Sequence, residues 1–361
     1  MLKNYMLCSL LLPALFDAPL APPSIGGAVS KPMLLDAKAV KGLDRHKRMI
    51  KVANLEGNFI CSLEVSGYAL KDVLDRCGIK KENDGFDRPL DMVVTAKGRN
   101  GGRTLFSYGE VFLTSDEGPL LADSARMILP THHGPLNAGK NDPTIMLDVK
   151  KRDAISLESC VSCHHGPPPE SLHFPKGWLL VAANDGFPGR YIEELTEIKV
   201  AQSGIKVEAP PRSSSRDMLV ESPTIIGPDG KAHEFALEDY QKLPKQPVTD
   251  IGIGIGRGYR GVSVWEGAPL KEMLKSLLPD GSIDTRNTYV LVTGGDGYRA
   301  SFSGTEVFNN SADKCVLLID RKDGQVLGKG SGAFTAIQRT DFFVDRNVRM
   351  VKEIRLIIVN R

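Results

Sequence analysis

The sequence predicts an α+β protein in which one small domain of mixed β-sheet with short helices occurs twice. Ordered self-similarity predicts the doubling. Ala69-Leu-Lys-Asp-Val-Leu74 recurs as Pro269-Leu-Lys-Glu-Met-Leu274, Phe106-Ser-Tyr-Gly-Glu-Val-Phe112 as Phe302-Ser-Gly-Thr-Glu-Val-Phe308, and Arg190 to Val200 as Arg349 to Val359. Length agrees, because 361 residues exceed the roughly 150 of one ordinary domain. Each copy also joins a Leu-x-x-x-Leu helix turn to β-branched runs, which predicts the mixture of helix and strand. The expected division is a signal peptide over 1–28, a first domain over 29–205, a linker over 206–220 and a second domain over 221–361.

Taken in order, the chain opens with Lys3 and an apolar run from Tyr5 to Phe16, then a Pro/Ala/Gly stretch to Ala28. That is the outline of a secretory signal peptide, with cleavage expected near Ala28. The run is shorter than the roughly 20 residues that cross a bilayer, so no transmembrane segment is expected after cleavage. No Arg-Arg pair precedes it, which points to Sec-type export and a periplasmic location. Leu70 and Leu270 open the helices. Val94-Thr95 and Val292-Thr293 mark strands leading into the Phe-Ser motif, and Gly294-Gly-Asp-Gly297 is a hairpin-type turn. Val348 to Val359 reads as the closing strand.

Composition gives no partner class directly. The chain is 41% hydrophobic and 25% charged, and its 46 basic and 44 acidic residues leave a formal charge of +2. Nucleic acid and an anionic membrane surface are therefore not expected partners. Removal of Cys8 with the signal leaves Cys61, Cys77, Cys160, Cys163 and Cys315, positions from which no disulfide framework follows.

The copies differ at one place. Their offset is 200 at the helix, from Leu70 to Leu270, and 196 at the Phe-Ser motif, from Phe106 to Phe302. At the closing strand it is 159, from Ile192 to Val351, so copy one is expected to hold 37 extra residues between its Phe-Ser motif and its last strand. An insert over about 130–176 contains His132, His133, Cys160, Cys163, His164, His165 and His173, five of the seven histidines. Within it, Cys160-Val-Ser-Cys-His164 is the attachment pattern of haem c: two thiols add to the haem vinyl groups and the adjacent imidazole binds iron. Cys160, Cys163 and His164 are thus the expected cofactor residues, with His164 the proximal iron ligand. His132, His133 and His173 are the distal candidates, with Met127 and Met146 behind them. Two alternatives stay open: a structural Zn2+ held by Cys160, Cys163 and two of His132, His133, His164 and His165, and a redox disulfide between Cys160 and Cys163.

Val264-Trp-Glu-Gly-Ala-Pro-Leu270 with Leu274, then Thr293-Gly-Gly-Asp-Gly-Tyr298 and Phe302-Ser-Gly-Thr-Glu306, resembles the molybdopterin-binding domain of sulfite oxidase-type enzymes. Pro228 to Tyr240 is similar to the strand and helix ahead of that pattern, and Gly67-Tyr-Ala-Leu70 with Lys97-Gly-Arg-Asn-Gly-Gly102 repeats the frame loosely in copy one. The resemblance covers about two-thirds of the chain and implies two sulfite oxidase-like domains. In that family a Cys just upstream of the Trp-x-Gly-x-Pro-Leu pattern ligates molybdenum. This chain has no Cys between 164 and 314, and Cys61 lies only nine residues before Leu70. The fold is therefore expected without the molybdopterin site. The function expected is electron transfer by an exported monohaem cytochrome, with a periplasmic or membrane redox protein as partner; the alternative is a molybdopterin-dependent oxidoreductase.

Overall fold

The computed structural model describes residues 20–53, 59–82, 84–114, 118–128, 177–182, 185, 188–206, 220–275, 278, 283–311, 313–328 and 330–359. The first copy runs β1 (Ser24–Gly27), β2 (Met33–Leu34), β3 (His46–Ala53), β4 (Phe59–Ala69), α1 (Leu70–Cys77), β5 (Val93–Gly98) and β6 (Arg103–Ser107). It continues through α2 (Tyr108–Phe112), β7 (Leu120–Ile128), β8 (Leu179–Val181) and β9 (Leu195–Ala201). The second runs β10 (Thr224–Ile226), β11 (Ala232–Glu234), α3 (Leu237–Lys242), β12 (Gln246–Gly254), β13 (Gly258–Pro269), α4 (Leu270–Leu274) and β14 (Thr288–Gly294). There follow β15 (Arg299–Ser303), β16 (Val316–Lys322), β17 (Gln325–Val326), β18 (Thr335–Gln338) and β19 (Val351–Ile358).

Each copy builds the same pair of sheets. The order β2-β1-β9-β5-β6 returns as β11-β10-β19-β14-β15, and β3-β4-β7-β8 returns as β12-β13-β16 with β18 on β16. In both five-stranded sheets the first strand lies parallel to the last, Ile25 beside Ile198 and Ile225 beside Ile354, and the other pairings are antiparallel.

The expected α+β class is corrected here, because the described residues are mostly strand, arranged in four sheets. The helices that the Leu-x-x-x-Leu spacing predicts do form, but α1 has 8 residues and α4 has 5. Helices this short do not hold in water without tertiary packing. α1 buries Leu70, Val73, Leu74 and Cys77, one stripe at i, i+3, i+4 and i+7, and serves as a plug on the sheets. The strand excess lies in two long hairpins, β3 to β4 and β12 to β13, which the sequence reading passed over.

The repeat holds with a shifted register at its end. Val94 pairs Phe106 and Val200, while Val290 pairs Phe302 and Leu356. Val94 therefore corresponds to Val290, not Val292, and the closing strands differ by 156, from Val200 to Leu356, rather than 159. A further one-residue change sits after the Phe-Ser motif: α2 is answered by a π-helical turn over Thr305–Asn309, a form that accommodates one extra residue. Beyond it Ala69 faces Leu120 and Pro269 faces Leu317, an offset of 197.

Residues near the expected cleavage point are structural. Ile25 of β1 is 1% exposed and packs in the first copy's core, between the pairings with β2 and β9. Cleavage beside Ala28 would remove that strand.

The two copies share core. Phe86, Leu90 and Leu113 of the first pack into the cluster of the second, and Val93 and Leu105 meet Tyr289 and Leu291 across the junction. Full burial of each such side chain contributes about 1.5–3 kcal/mol. An ion-pair network also crosses it, Arg299 reaching Asp91 at 2.7 Å while Lys81 lies 3.2 Å from the same carboxylate. Among the described residues no helix is long and apolar enough to cross a membrane.

Candidate functional site

The residues expected to hold a cofactor, Cys160, Cys163 and His164, and the distal candidates His132, His133 and His173, lie outside the described residues. What is described is where their segment joins the fold. It leaves β7 and returns at β8, which pair antiparallel with Leu120 facing Val181. From Leu120 to Val181 the chain advances 61 positions; from Leu317 to Ile337, the equivalent pair, it advances 20. The first connection is thus 41 residues longer, and the whole motif falls within the excess.

A thiolate site for molybdenum does not fit the described cysteines. Cys77 and Cys315 are buried within the two copies, and burial raises both thiols above their ordinary range, against the thiolate a metal needs. Cys61 lies on β4 opposite Val52. Among the described residues no cluster of three His, Cys, Asp or Glu side chains is placed to hold a metal ion.

A different site emerges where the copies meet. Ser107 ends β6 and caps α2: its Oγ accepts from the Glu110 amide at 3.1 Å, and the Ser107 amide donates to Glu110 Oε2 at 2.9 Å. This reciprocal Ser-x-x-Glu box folds the glutamate back inside. Ser303 and Glu306 repeat it at 3.2 and 2.8 Å. Each glutamate then meets an arginine from the short helical turn before the closing strand. Arg190 Nη1 is 2.7 Å from Glu110, and Arg346 Nη2 is 2.7 Å from Glu306. Each arginine has a second acid five residues upstream, Asp185 for Arg190 and Asp341 for Arg346, at 2.6 and 2.8 Å from Nε. Each also lies over the phenyl ring of its own copy's motif, Phe106 at 4.5 Å and Phe302 at 4.8 Å.

The halves are wired together. Ser107 Oγ donates to Glu306 at 2.6 Å and accepts from Arg346 at 2.7 Å, so a copy-one hydroxyl completes the copy-two pair. Arg190 reaches Ser303 Oγ at 3.4 Å in return.

The symmetry breaks in two places: Ser107 Oγ donates to Glu306 while Ser303 Oγ accepts from Arg190, and one side chain differs. Gln338 donates its amide to Glu306 at 3.1 Å, and its equivalent in copy one is Ala182. Glu306 accordingly accepts four donors, two on each oxygen: Ser107 Oγ and the Ser303 amide on Oε2, Arg346 and Gln338 on Oε1. Among the described residues Glu110 accepts two, the Ser107 amide on Oε2 and Arg190 on Oε1. Beside Ala182 lies a cavity of about 60 Å³ lined by Glu110, Asp185, Arg190, Glu306, Asn310 and Lys314 among others. A second cleft of about 560 Å³ shares Asp185, Arg190 and Asn310 with it. The matching side of copy two is closed by a β-bridge from Thr114 to Asp341.

Electrostatics follow the donor count. Burial pushes Glu110 up to about 7, with Glu306 and Asp185 adding to the rise and Arg190 opposing it. For Glu306 burial acts the same way, but Arg346 and the donors from Ser107 and Gln338 outweigh it and hold the carboxyl below its ordinary value. Burial pushes Asp341 up to about 6 against Arg346. Both arginines stay charged, because their acids outweigh the cost of burial.

In the sequence the Phe-Ser motif serves only to mark the repeat and the family resemblance, and no chemistry is assigned to it. The available signal was a Glu kept inside an apolar repeat, three residues after Ser, in both copies. Pairing Arg190 with Arg349 concealed its true equivalent, Arg346.

No protein-family model matches this chain, and no curated protein matches it. Among solved structures it is similar to the crystal structure of the sulfane dehydrogenase SoxCD from Paracoccus pantotrophus, at 12% identity and a TM-score of 0.30, over 92% of this chain and 78% of that one. At that TM-score the likeness sets no function for this chain.

Proposed function

We propose that this chain is an exported electron-transfer protein carrying one covalent haem c on Cys160 and Cys163, with His164 as the proximal iron ligand and one of His132, His133 and His173 on the far side. The observation that carries the reading is the placement of the motif. Cys160-Val-Ser-Cys-His164 lies inside the single long excess of copy one, between strands that pair directly in both copies. Among the described residues the two sheets of copy one match those of copy two, which is what a cofactor-bearing addition to a finished scaffold requires. When bound, the haem supplies a one-electron couple; the chain's part is to fix it through two thioethers and an imidazole. The expected partner is a periplasmic or membrane redox protein. A leader cut before Ser24, rather than at the expected Ala28, would leave β1 and its pairing with β9 in place.

The test is the mass of the denatured chain after maturation in a host competent for haem attachment. Wild type gains one haem and a reduced α-band, and the Cys160→Ala, Cys163→Ala double variant gains neither. An unmodified wild-type mass overturns the proposal, and stoichiometric zinc in its place selects the Cys2His2 alternative.

A further inference from the structure

Copy two supplies an internal control for the cavity in copy one. Around Glu306 the carboxylate is saturated with four donors, and the last is a side-chain amide, Gln338 Nε2 at 3.1 Å. Around Glu110 the capping box, the arginine, the second acid and the phenyl ring are all repeated. Among the described residues two donors differ: the serine hydroxyl that crosses between copies reaches Glu306 but not Glu110, and the amide is replaced by the methyl group of Ala182, beside which lies the cavity of about 60 Å³. A carboxylate offers about four acceptor sites. Among the described residues Glu110 uses one on each oxygen, which leaves one more on each for a donor in the cavity that Glu110 lines.

Charge selects the kind of donor. The joined network holds four carboxylates, Glu110, Asp185, Glu306 and Asp341, against two arginines, Arg190 and Arg346, with Lys314 at the rim of the cavity. Arg190 is already engaged by Asp185 and Glu110. The surplus is negative, and a group that presents two parallel N–H donors and a positive charge meets both requirements at once, as the Arg–carboxylate fork does. Size permits such a head group. A water needs about 10–15 Å³ of this kind of volume, so the cavity takes a few heavy atoms.

We propose that the cavity beside Ala182 is a binding site for a small molecule ending in an amidinium or guanidinium group, which forks onto the two oxygens of Glu110, one N–H taking the place that Gln338 holds on Glu306 Oε1 and the other that of the cross-copy serine hydroxyl on Oε2. The ligand stands in for a side chain that copy two has and copy one lacks. This site is independent of the haem reading, since it uses no residue of 129–176.

The probe is acetamidinium, titrated calorimetrically into the full-length chain at pH 8, with acetamide as the neutral analogue of the same shape and acetate as the anion. One acetamidinium binds per chain, acetamide binds at least tenfold more weakly, and acetate does not bind. Ala182→Gln, which restores the copy-two side chain, weakens acetamidinium at least tenfold. Glu110→Gln does the same while preserving shape, and it decides the matter if Ala182→Gln does not fold. Absence of saturable acetamidinium binding, equal affinity for acetamide, or unchanged affinity in the variant that folds overturns the proposal.

Discussion

Glu110 and Glu306 have the same capping partner, the same kind of arginine and the same kind of ring beneath it, yet they titrate in opposite directions. The difference is local donor supply. Because the folded-state value of Glu110 lies near 7, above the ordinary 4.5, the native state binds the extra proton between those limits. Stability from this group is therefore greatest below about pH 4.5, falls as pH rises toward 7, and is flat above. Glu110→Gln cannot titrate, so the wild-type-minus-variant difference in denaturation midpoint should decline between pH 5 and pH 7.5. A difference that grows over that range contradicts the assignment. Arg346 is 0% exposed and compensates Glu306 and Asp341 together. Arg346→Ala leaves two buried carboxylates without their cation and should cost about 3–5 kcal/mol by urea unfolding. The sequence showed the motif but not this wiring, because Ser107 to Arg346 spans 239 positions and no local pattern encodes it.

Among elements, the helices were legible because a stripe at Leu70, Val73, Leu74 and Cys77 has a 3.6-residue period. The long hairpins were not. β13 reads Gly-Tyr-Arg-Gly-Val-Ser-Val-Trp-Glu-Gly-Ala-Pro, where exposed Tyr259, Val262 and Val264 blur the inside-out alternation that marks a strand. The closing strand slipped by three for a related reason, since the β-branched run ending at Val359 offers several near-equivalent alignments. A feature that does fix the register is a glycine at the same bulge in each copy. Pairing shifts between Ser66 and Gly67 and between Glu266 and Gly267. A Cβ on Gly67 would sit 2.0 Å from the Leu121 carbonyl oxygen, and on Gly267 2.2 Å from that of Leu318. Neither neighbour is a flexible side chain that can turn away. Gly67→Ala and Gly267→Ala should each destabilise by at least about 1–3 kcal/mol, as overpacked sites do. Thermal denaturation checks it, and wild-type melting in either variant would show that the strands part freely there.

At the scale of the whole molecule, the duplication was readable from three ordered matches, while the sharing of core and of buried acids between copies was not. The 129–176 segment joins paired strands, so a short turn can replace it at little cost in loop closure. A chain with Gly/Ser in place of 129–176 should unfold cooperatively and carry no haem; a chain that stays unfolded would make the segment part of the core. The position of β9 has a consequence in time. It is the last strand of its copy and yet lies inside its sheet, with β1 on one side and β5 on the other. β19 holds the same place in copy two. A chain emerging N-terminus first therefore presents β1 and β5 with an open gap between them until residue 201 appears, and contacts at such separation are slow to form. Cys160 and Cys163 emerge inside that interval. Any chemistry at the two thiols during that interval would meet a half-built sheet, which the arrival of the last strand then closes.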